Sequence, residues 1–73
     1  MDSAKILVKD GVTSGGSRIE LISWKRTYDH GGEHLVRQID VDDRMICRVF
    51  TDPSVDPHGW SSEQLYASYC LMF

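Results

Sequence analysis

The sequence has few residues that crosslink or interrupt a chain, and it has no long apolar run. Its 73 residues include two cysteines and two prolines. Nothing approaches the roughly 20 consecutive apolar residues of a membrane-spanning helix. The apolar run at Ile6–Val8 is too short for the apolar core of a signal peptide. We therefore expect a cytoplasmic protein that makes no contact with a membrane.

Basic residues are absent beyond Arg48, so charge is divided unevenly along the chain. The net charge is −3, and Asp52, Asp56 and Glu63 account for all of it, because the first 48 residues balance eight basic against eight acidic side chains. Binding of nucleic acid in general requires a basic excess that releases counterions from phosphates. We expect no direct nucleic-acid binding, and we interpret the acidic end as facing a basic protein surface.

Motifs for catalysis and for cofactors are missing as well. The segment Gly11–Arg18 is rich in glycine and serine, but Ser17-Arg18 stands where a phosphate-binding loop requires lysine and the start of a helix. No serine or cysteine lies in a pattern that pairs a nucleophile with a base. A chain of this size also encloses a catalytic pocket of about 300–1,000 Å³ with difficulty. We predict a protein that is not an enzyme and needs no cofactor.

Metal binding and lipidation remain as alternatives with weak sequence support. His30 and His34 are four residues apart, but the two glycines between them disfavour the helix that would align both rings. Cys47 and Cys70 are not spaced as a structural zinc site requires, and a reducing cytosol favours free thiols that pack as small apolar groups. The last four residues, starting at Cys70, also fit the prenylation pattern. A small metal-binding or lipidated regulator is therefore kept as an alternative.

Alternation of apolar and polar residues predicts the β-structure. We predict strands over Ala4–Lys9, Arg18–Lys25, His34–Val41 and Arg44–Phe50, with a loop over Asp10–Ser17 and tight turns at Asp29–Gly32 and at Asp42-Asp43. Within the second strand, Ile19, Leu21 and Ser23 are predicted to face the core. The short connections favour three or four antiparallel strands in meander order.

The C-terminal segment predicts one helix. Ser61 and Gln64 have the spacing of a capping box, and Trp60 and Leu65 have that of a hydrophobic staple, so the helix is predicted to begin at Ser62. Leu65, Tyr69 and Met72 are predicted to share its packed face. The fold class is therefore α+β: an antiparallel β-meander of three to four strands with one C-terminal helix packed on the sheet, in a single domain spanning residues 1–73.

Aromatic and basic residues at the end of the second strand predict a binding surface. Trp, Tyr and Arg dominate the hot spots of protein interfaces. The alternative for Trp24 is a place in the core, with the arginines solvating an open sheet face. The first strand offers a second mode, because a partner strand pairs readily with a free sheet edge. The predicted partner-binding residues are Lys5, Ile6, Leu7, Val8, Trp24, Arg26, Tyr28 and Trp60.

In length, layout and dependence on its surface, the whole chain resembles small phage-encoded early proteins that bind the RNA polymerase of their bacterial host. This resemblance implies a monomer in the host cytoplasm that inhibits initiation of transcription and promotes read-through of terminators. It further implies docking on the large polymerase subunits, near the flap and the region that contacts sigma. It assigns no functional residue. A phage inhibitor of a host nuclease defence complex, acting as an acidic mimic of nucleic acid, remains an alternative.

Overall fold

A computed structural model describes all 73 residues and contains one sheet and one helix. The strands are β1 (Ile6–Val12), β2 (Arg18–Thr27), β3 (Glu33–Val41) and β4 (Arg44–Thr51), and the helix α1 spans Trp60–Met72. The sheet is antiparallel, with its strands in the order β1-β2-β3-β4. The predicted α+β meander with a C-terminal helix on the sheet is thus confirmed. No helix of the structure combines the length and the apolar character that crossing a membrane requires.

The first strand differs most from its predicted bounds. Its pairing with β2 continues to Val12, opposite Arg18, so only Thr13–Ser17 remain as the connecting loop. The glycine and serine content predicted a longer loop, but main-chain hydrogen bonds to β2 outweigh these local preferences. The register also shifts between Leu7 and Lys9, which marks a β-bulge at Val8. The bulge interrupts the alternation of side chains between the two faces of the sheet at Val8.

The core lies between the sheet and α1. Ile19 pairs with Val41 and Leu21 pairs with Ile39, and all four side chains are buried together with Tyr66 of the helix. The predicted inward face of β2 is therefore confirmed. Full burial of one such aliphatic side chain stabilises the fold by roughly 1.5–3 kcal/mol. These cross-strand pairs fix the register, since a one-residue slip would turn them toward solvent.

A two-residue turn joins β3 to β4, as the sequence predicts. Asp42 and Asp43 have φ angles of 50° and 64°. Two consecutive residues with positive φ match the twist of a tight hairpin, and aspartate tolerates this conformation better than most residues. Asp42 Oδ1 also accepts a hydrogen bond from the Arg18 amide at 3.0 Å. This contact ties the turn to the start of β2.

The helix begins differently from the prediction, and the capping box and hydrophobic staple are both wrong. Asp56 Oδ1 accepts from the Trp60 amide at 2.9 Å, and Asp56 Oδ2 accepts from the Ser61 amide and hydroxyl at 3.3 and 2.7 Å. The Ser61 hydroxyl is therefore not a cap, and Gly59, at φ 67°, precedes the first helical residue, Trp60. Because an ionised carboxylate is a stronger acceptor than a hydroxyl, Asp56 satisfies these donors instead. Trp60 is 67% exposed and forms no staple with Leu65.

The opposite end of α1 is held by the loop between β1 and β2. The Ser14 amide donates to the Cys70 carbonyl at 2.8 Å, and its hydroxyl donates to the Leu71 carbonyl at 3.0 Å. A Cβ atom at Gly15 would collide with the carbonyl of Phe73. Met72 is 72% exposed, so its predicted place on the packed face is wrong. These contacts orient the helix over one face of the sheet and leave the other face uncovered.

Candidate protein-interaction surface

The two faces of the sheet have different surroundings. The side chains of α1 pack on one face, whereas no helix or strand covers the other, which we call the open face. Alternate residues of each strand point to this face, because side chains alternate along a strand. The residues on it are Lys5, Leu7, Asp10, Val12, Arg18, Glu20, Ile22, Trp24, Arg26, His34, Val36, Gln38, Asp40, Met45, Arg48 and Phe50.

Trp24 lies at the centre of the open face and is nevertheless only 3% exposed. The ammonium of Lys5 lies 4.7 Å from the ring centroid, and the guanidinium carbon of Arg48 lies 5.4 Å from it. Fully buried Val36 pairs with Trp24 from β3. Long basic side chains readily cover an aromatic ring with their stems while keeping their charges near water. Trp24 is thus buried, as the core alternative required, but it is buried beneath two cations on the uncovered face.

The indole of Trp24 has an unsatisfied donor. Its Nε1–H is buried and has no hydrogen-bond acceptor in the structure. Leaving a buried donor unpaired costs about 1–3 kcal/mol. The covering groups, Lys5 and Arg48, supply only donors, so neither can accept this proton. The centre of the open face therefore lacks an acceptor.

Arg26 and Tyr28, which the sequence assigns to partner binding, are already engaged within the chain. Arg26 Nε and Nη2 donate to the two carboxylate oxygens of Asp2 at 2.8 and 3.2 Å. These hydrogen bonds lower the pKa of Asp2 and hold Arg26 over the ring of Phe50, 5.3 Å from its centroid. The Tyr28 hydroxyl lies 2.9 Å from Nδ1 of His34. Both residues border the open face, but Arg26 presents no free charge to a partner.

The N-terminal strand lies at the edge of the sheet, where the sequence analysis placed a possible pairing site. The strand order puts β1 outermost, with β2 as its only neighbour. Ile6, Leu7 and Val8 are 64%, 51% and 39% exposed. Protected edges carry charged residues, prolines or bulges, and here only the bulge at Val8 and the flanking lysines serve that purpose. The exposed apolar edge of β1 is continuous with the open face through Leu7.

Trp60 does not join this surface. It begins α1, on the opposite side of the sheet from Trp24, and its ring stacks on that of His58 with centroids 5.3 Å apart. The other predicted partner-binding residues therefore lie on or beside the open face and the edge of β1, whereas Trp60 lies in the helical layer.

Three carboxylates that no sequence pattern indicated form a row on the open face, which we call the acidic row. Asp10 pairs with Glu20, and Glu20 pairs with Asp40, so the three lie side by side on adjacent strands. Asp40 accepts from Gln38 Nε2 at 2.8 Å, and Gln38 Oε1 accepts from Arg48 at 3.0 and 2.7 Å. The residues are 10 and 20 positions apart in the chain, so only the strand register reveals the row.

The acids of the C-terminal third have contacts within the chain. Asp52 accepts from the amide and hydroxyl of Ser54 at 2.8 and 2.7 Å, and these bonds lower its pKa. Asp56 caps α1, and Glu63 forms an ion pair with Lys9. These carboxylates connect elements of the fold. Two members of the acidic row also have partners within the chain, because Arg18 Nε lies 3.5 Å from Glu20 Oε1 and Asp40 accepts from Gln38.

Other candidate chemistry does not come together in the structure. Cys47 and Cys70 are free and partly buried, in agreement with the predicted free thiols. No group of three His, Cys, Asp or Glu side chains is arranged to hold a metal ion. Comparison of the chain with protein-family models, curated proteins and solved structures gives no match.

Proposed function

We propose that this chain is a non-enzymatic binding protein that docks on the RNA polymerase of a bacterial host, in the cytoplasm, inhibits initiation and promotes read-through of terminators. The open face, joined to the exposed edge of β1, is the observation that supports a binding role. The polymerase as partner rests on the resemblance of the whole chain to small phage-encoded polymerase-binding proteins. In this proposal the contact lies on the large subunits near the flap and interferes with engagement of sigma.

The composition of the open face favours protein binding. Apolar side chains occupy its middle, and Leu7 and Phe50 are 51% and 43% exposed. Charged groups surround them: Lys5 lies over Trp24, Arg48 lies beside Gln38, and the acidic row pairs with Arg18 near the start of β2. An apolar centre with a charged rim is the usual anatomy of a protein interface.

The size of the open face sets an expected affinity. Four strands spaced about 4.8 Å apart, with about eight residues rising 3.3 Å each, give a face of roughly 500 Å². Covering it from both partners would bury about 1,000 Å², which is the lower limit for a specific interface. Pairing of a partner strand with β1 would enlarge this contact and add main-chain hydrogen bonds. We therefore expect binding in the micromolar range unless both surfaces are used.

The test is association of the tagged chain with purified bacterial RNA polymerase, measured by co-elution and by transcription from a template with a promoter and a terminator. We expect a stoichiometric complex at micromolar concentration, fewer initiated transcripts and more read-through product. Leu7→Asp places a charge on the open face and should weaken association at least tenfold. The matched control, Leu71→Asp, places the same charge on α1, where Leu71 is 80% exposed, and should have no effect. No association at micromolar concentration would refute the polymerase assignment.

Inhibition of a host nuclease defence complex is a second candidate, and the acidic row favours it. Neighbouring strands space the three carboxylates about 4.8 Å apart, whereas one strand of DNA carries a charge about every 3.4 Å of its axis. The row is short, and Lys5 and Arg48 lie on the same face. Glu20→Gln separates the two candidates, since it should abolish inhibition by mimicry while leaving apolar docking through Leu7 in place.

A further inference from the structure

The free edge of β1 presents main-chain groups that have no partner in the sheet. Residues of a strand bond alternately to its two neighbours, because N–H and C=O groups alternate in direction. The Arg18 carbonyl accepts from the turn that follows β3, so the even-numbered residues of β2 bond on the side of β3. Leu7 lies opposite Ile22, and Asp10 lies opposite Glu20. The N–H and C=O groups of Leu7 and Asp10 therefore point away from the sheet, where another strand can bond to them.

The lysines that flank this edge protect it only weakly, because both ammonium groups are drawn onto the faces of the sheet. Lys9 pairs with Glu63 on the helix-covered side and lies 4.8 Å from the ring centroid of Tyr66. Lys5 lies over Trp24 on the open face. Lysines block strand pairing when they project outward from an edge, so β1 is open to a further strand.

Asp10 is the member of the acidic row that has no partner in the chain. Glu20 pairs with Arg18, and Asp40 accepts from Gln38, whereas Asp10 belongs to none of the ion pairs. Like charges that lie opposite each other destabilise a sheet, and Asp10 lies opposite Glu20. A strand added at this edge should therefore place a cation beside Asp10.

We propose that a second copy of the chain occupies this edge, with the two β1 strands antiparallel about a twofold axis. Leu7 lies at the axis, opposite Leu7 of the second copy, and Lys5 of each copy lies opposite Asp10 of the other. All three side chains are on the open face, and residues that oppose each other in an antiparallel pair share a face. The opposite charges attract across one strand spacing, which is shorter than the screening length of about 10 Å. The charge pattern of β1 is thus complementary to itself.

The β-bulge at Val8 makes this register possible. In a regular strand, Lys5 and Asp10 would project to opposite faces, because they are separated by an odd number of positions. With the bulge, Val8 and Lys9 of one copy oppose Ile6 of the other, which is the two-against-one arrangement that a bulge provides. Ile6 is 64% exposed, so it gains cover from the aliphatic stem of Lys9.

The contact is small, so the dimer is weak. The paired segments, residues 5–10 of each copy, span roughly 20 Å at 3.3 Å per residue. An edge of this length and about 10 Å of thickness contributes roughly 200 Å² per copy, well below a standard interface. We expect a dissociation constant of roughly 100 μM, in the range of transient contacts.

Dimerisation doubles the surface available to a partner. Because the axis is perpendicular to the sheet, the two four-stranded sheets become one, and both open faces lie on the same side of it. Two faces of roughly 500 Å² each give about 1,000 Å². This inference does not rest on the polymerase as partner, but it excludes pairing of a partner strand with the same edge.

Paired charge variants test the register. Asp10→Lys opposes lysine to lysine, and Lys5→Glu opposes glutamate to aspartate, so each variant alone should dimerise at least fivefold more weakly than the wild type. An equal mixture restores both contacts between opposite charges in a heterodimer and should associate about as tightly as the wild type. Sedimentation equilibrium measures the dissociation constants. Asp29→Lys and Arg44→Glu make the same charge changes at the two hairpin ends, where both residues are exposed, and each should change dimerisation less than twofold.

A crosslink locates the axis. Leu7→Cys places two thiols opposite each other, with Cα atoms about 5.5 Å apart, a distance that a disulfide spans. Val12→Cys lies on the same edge but roughly 30 Å from its own copy. Mild oxidation should crosslink Leu7→Cys, whereas Val12→Cys and the wild type, whose cysteines are partly buried, should stay uncrosslinked. Faster crosslinking of Val12→Cys would overturn the register.

A chain that stays monomeric at about 1 mM would overturn the proposal, and so would a mixture of charge variants that associates no better than each alone. Growth beyond a dimer would overturn it too, since β1 pairing with β4 of another copy is a head-to-tail contact that does not close. A monomer that still binds polymerase would refute this inference alone, whereas a dimer without polymerase association would refute only the polymerase assignment.

Discussion

Replacing Trp24 with phenylalanine should change the stability of the fold very little, although Trp24 is nearly fully buried. Phenylalanine gives up roughly 40 Å² of buried surface, which costs about 1 kcal/mol at 25 cal/mol per Å². It also removes the unpaired Nε1–H, which relieves about 1–3 kcal/mol. The two effects oppose each other, so we expect a free energy of unfolding between unchanged and about 2 kcal/mol higher.

Alanine at the same position should behave differently, because it removes the ring as well as the donor. Loss of a buried aromatic side chain typically costs about 3–5 kcal/mol. A chain of 73 residues has a total stability of roughly 4–11 kcal/mol, so Trp24→Ala should lose a large part of its free energy of unfolding. Urea denaturation followed by far-UV circular dichroism measures both variants, and a shift of 1 kcal/mol moves the midpoint by about 1 M.

If Trp24→Phe lowers the free energy of unfolding by more than about 2 kcal/mol, the expectation is refuted, since the indole N–H would then be contributing a hydrogen bond that stabilises the fold. Val36→Ala serves as a reference, because Val36 pairs with Trp24, is fully buried and has no polar atom to relieve. It should lose stability without any compensating gain.

Two further predictions concern the ends of α1. Gly15→Ala should destabilise the protein by about 1–3 kcal/mol, because moving the loop away from Phe73 breaks both hydrogen bonds from Ser14. Urea denaturation checks this against Gly32→Ala, whose Cβ meets only flexible side-chain atoms, and equal losses would contradict it. The hydrogen bonds from Ser61, Trp60 and Gly59 lower the pKa of Asp56 below its usual 3.8. The folded-state pKa is therefore lower than the unfolded one, so the cap stabilises the fold above about pH 4 and is lost as pH falls below it. Asp56→Asn should be less stable than the wild type at pH 5, and this difference in free energy of unfolding should shrink as the pH falls to about 2. A difference that stays constant with pH would contradict this role.

The binding surface was only partly predictable from sequence. Trp24 was identified as important because of its residue type, but its covering by Lys5 and Arg48 depends on the sheet, which brings the residue before β1 and a residue of β4 to the same face. Trp60 was assigned by the same composition argument and lies in the helical layer instead. Residue type reports what a side chain can do, whereas its surroundings depend on the neighbours that folding supplies.

Local sequence patterns could not predict the caps of α1, for the same reason. Ser61 and Gln64 match a capping box, yet the helix begins at Trp60, so Ser61 lies in its first turn and both its amide and its hydroxyl donate to Asp56 of the preceding turn. At the other end, Ser14 lies 57 residues from Leu71 and still caps it. A spacing rule considers only neighbours in the chain and therefore misses acceptors and donors that come from elsewhere.

Local periodicity by itself determined the four strands, the single helix, the turn at Asp42-Asp43 and the inward face of β2, because these depend on side-chain alternation and backbone preferences within a few residues. Only the tertiary structure decided which sheet face stays uncovered, which cations bury Trp24, and that Asp10, Glu20 and Asp40 form one row. Each of these arises from register and from the placement of α1, which are set by burial of the whole core rather than by any one segment.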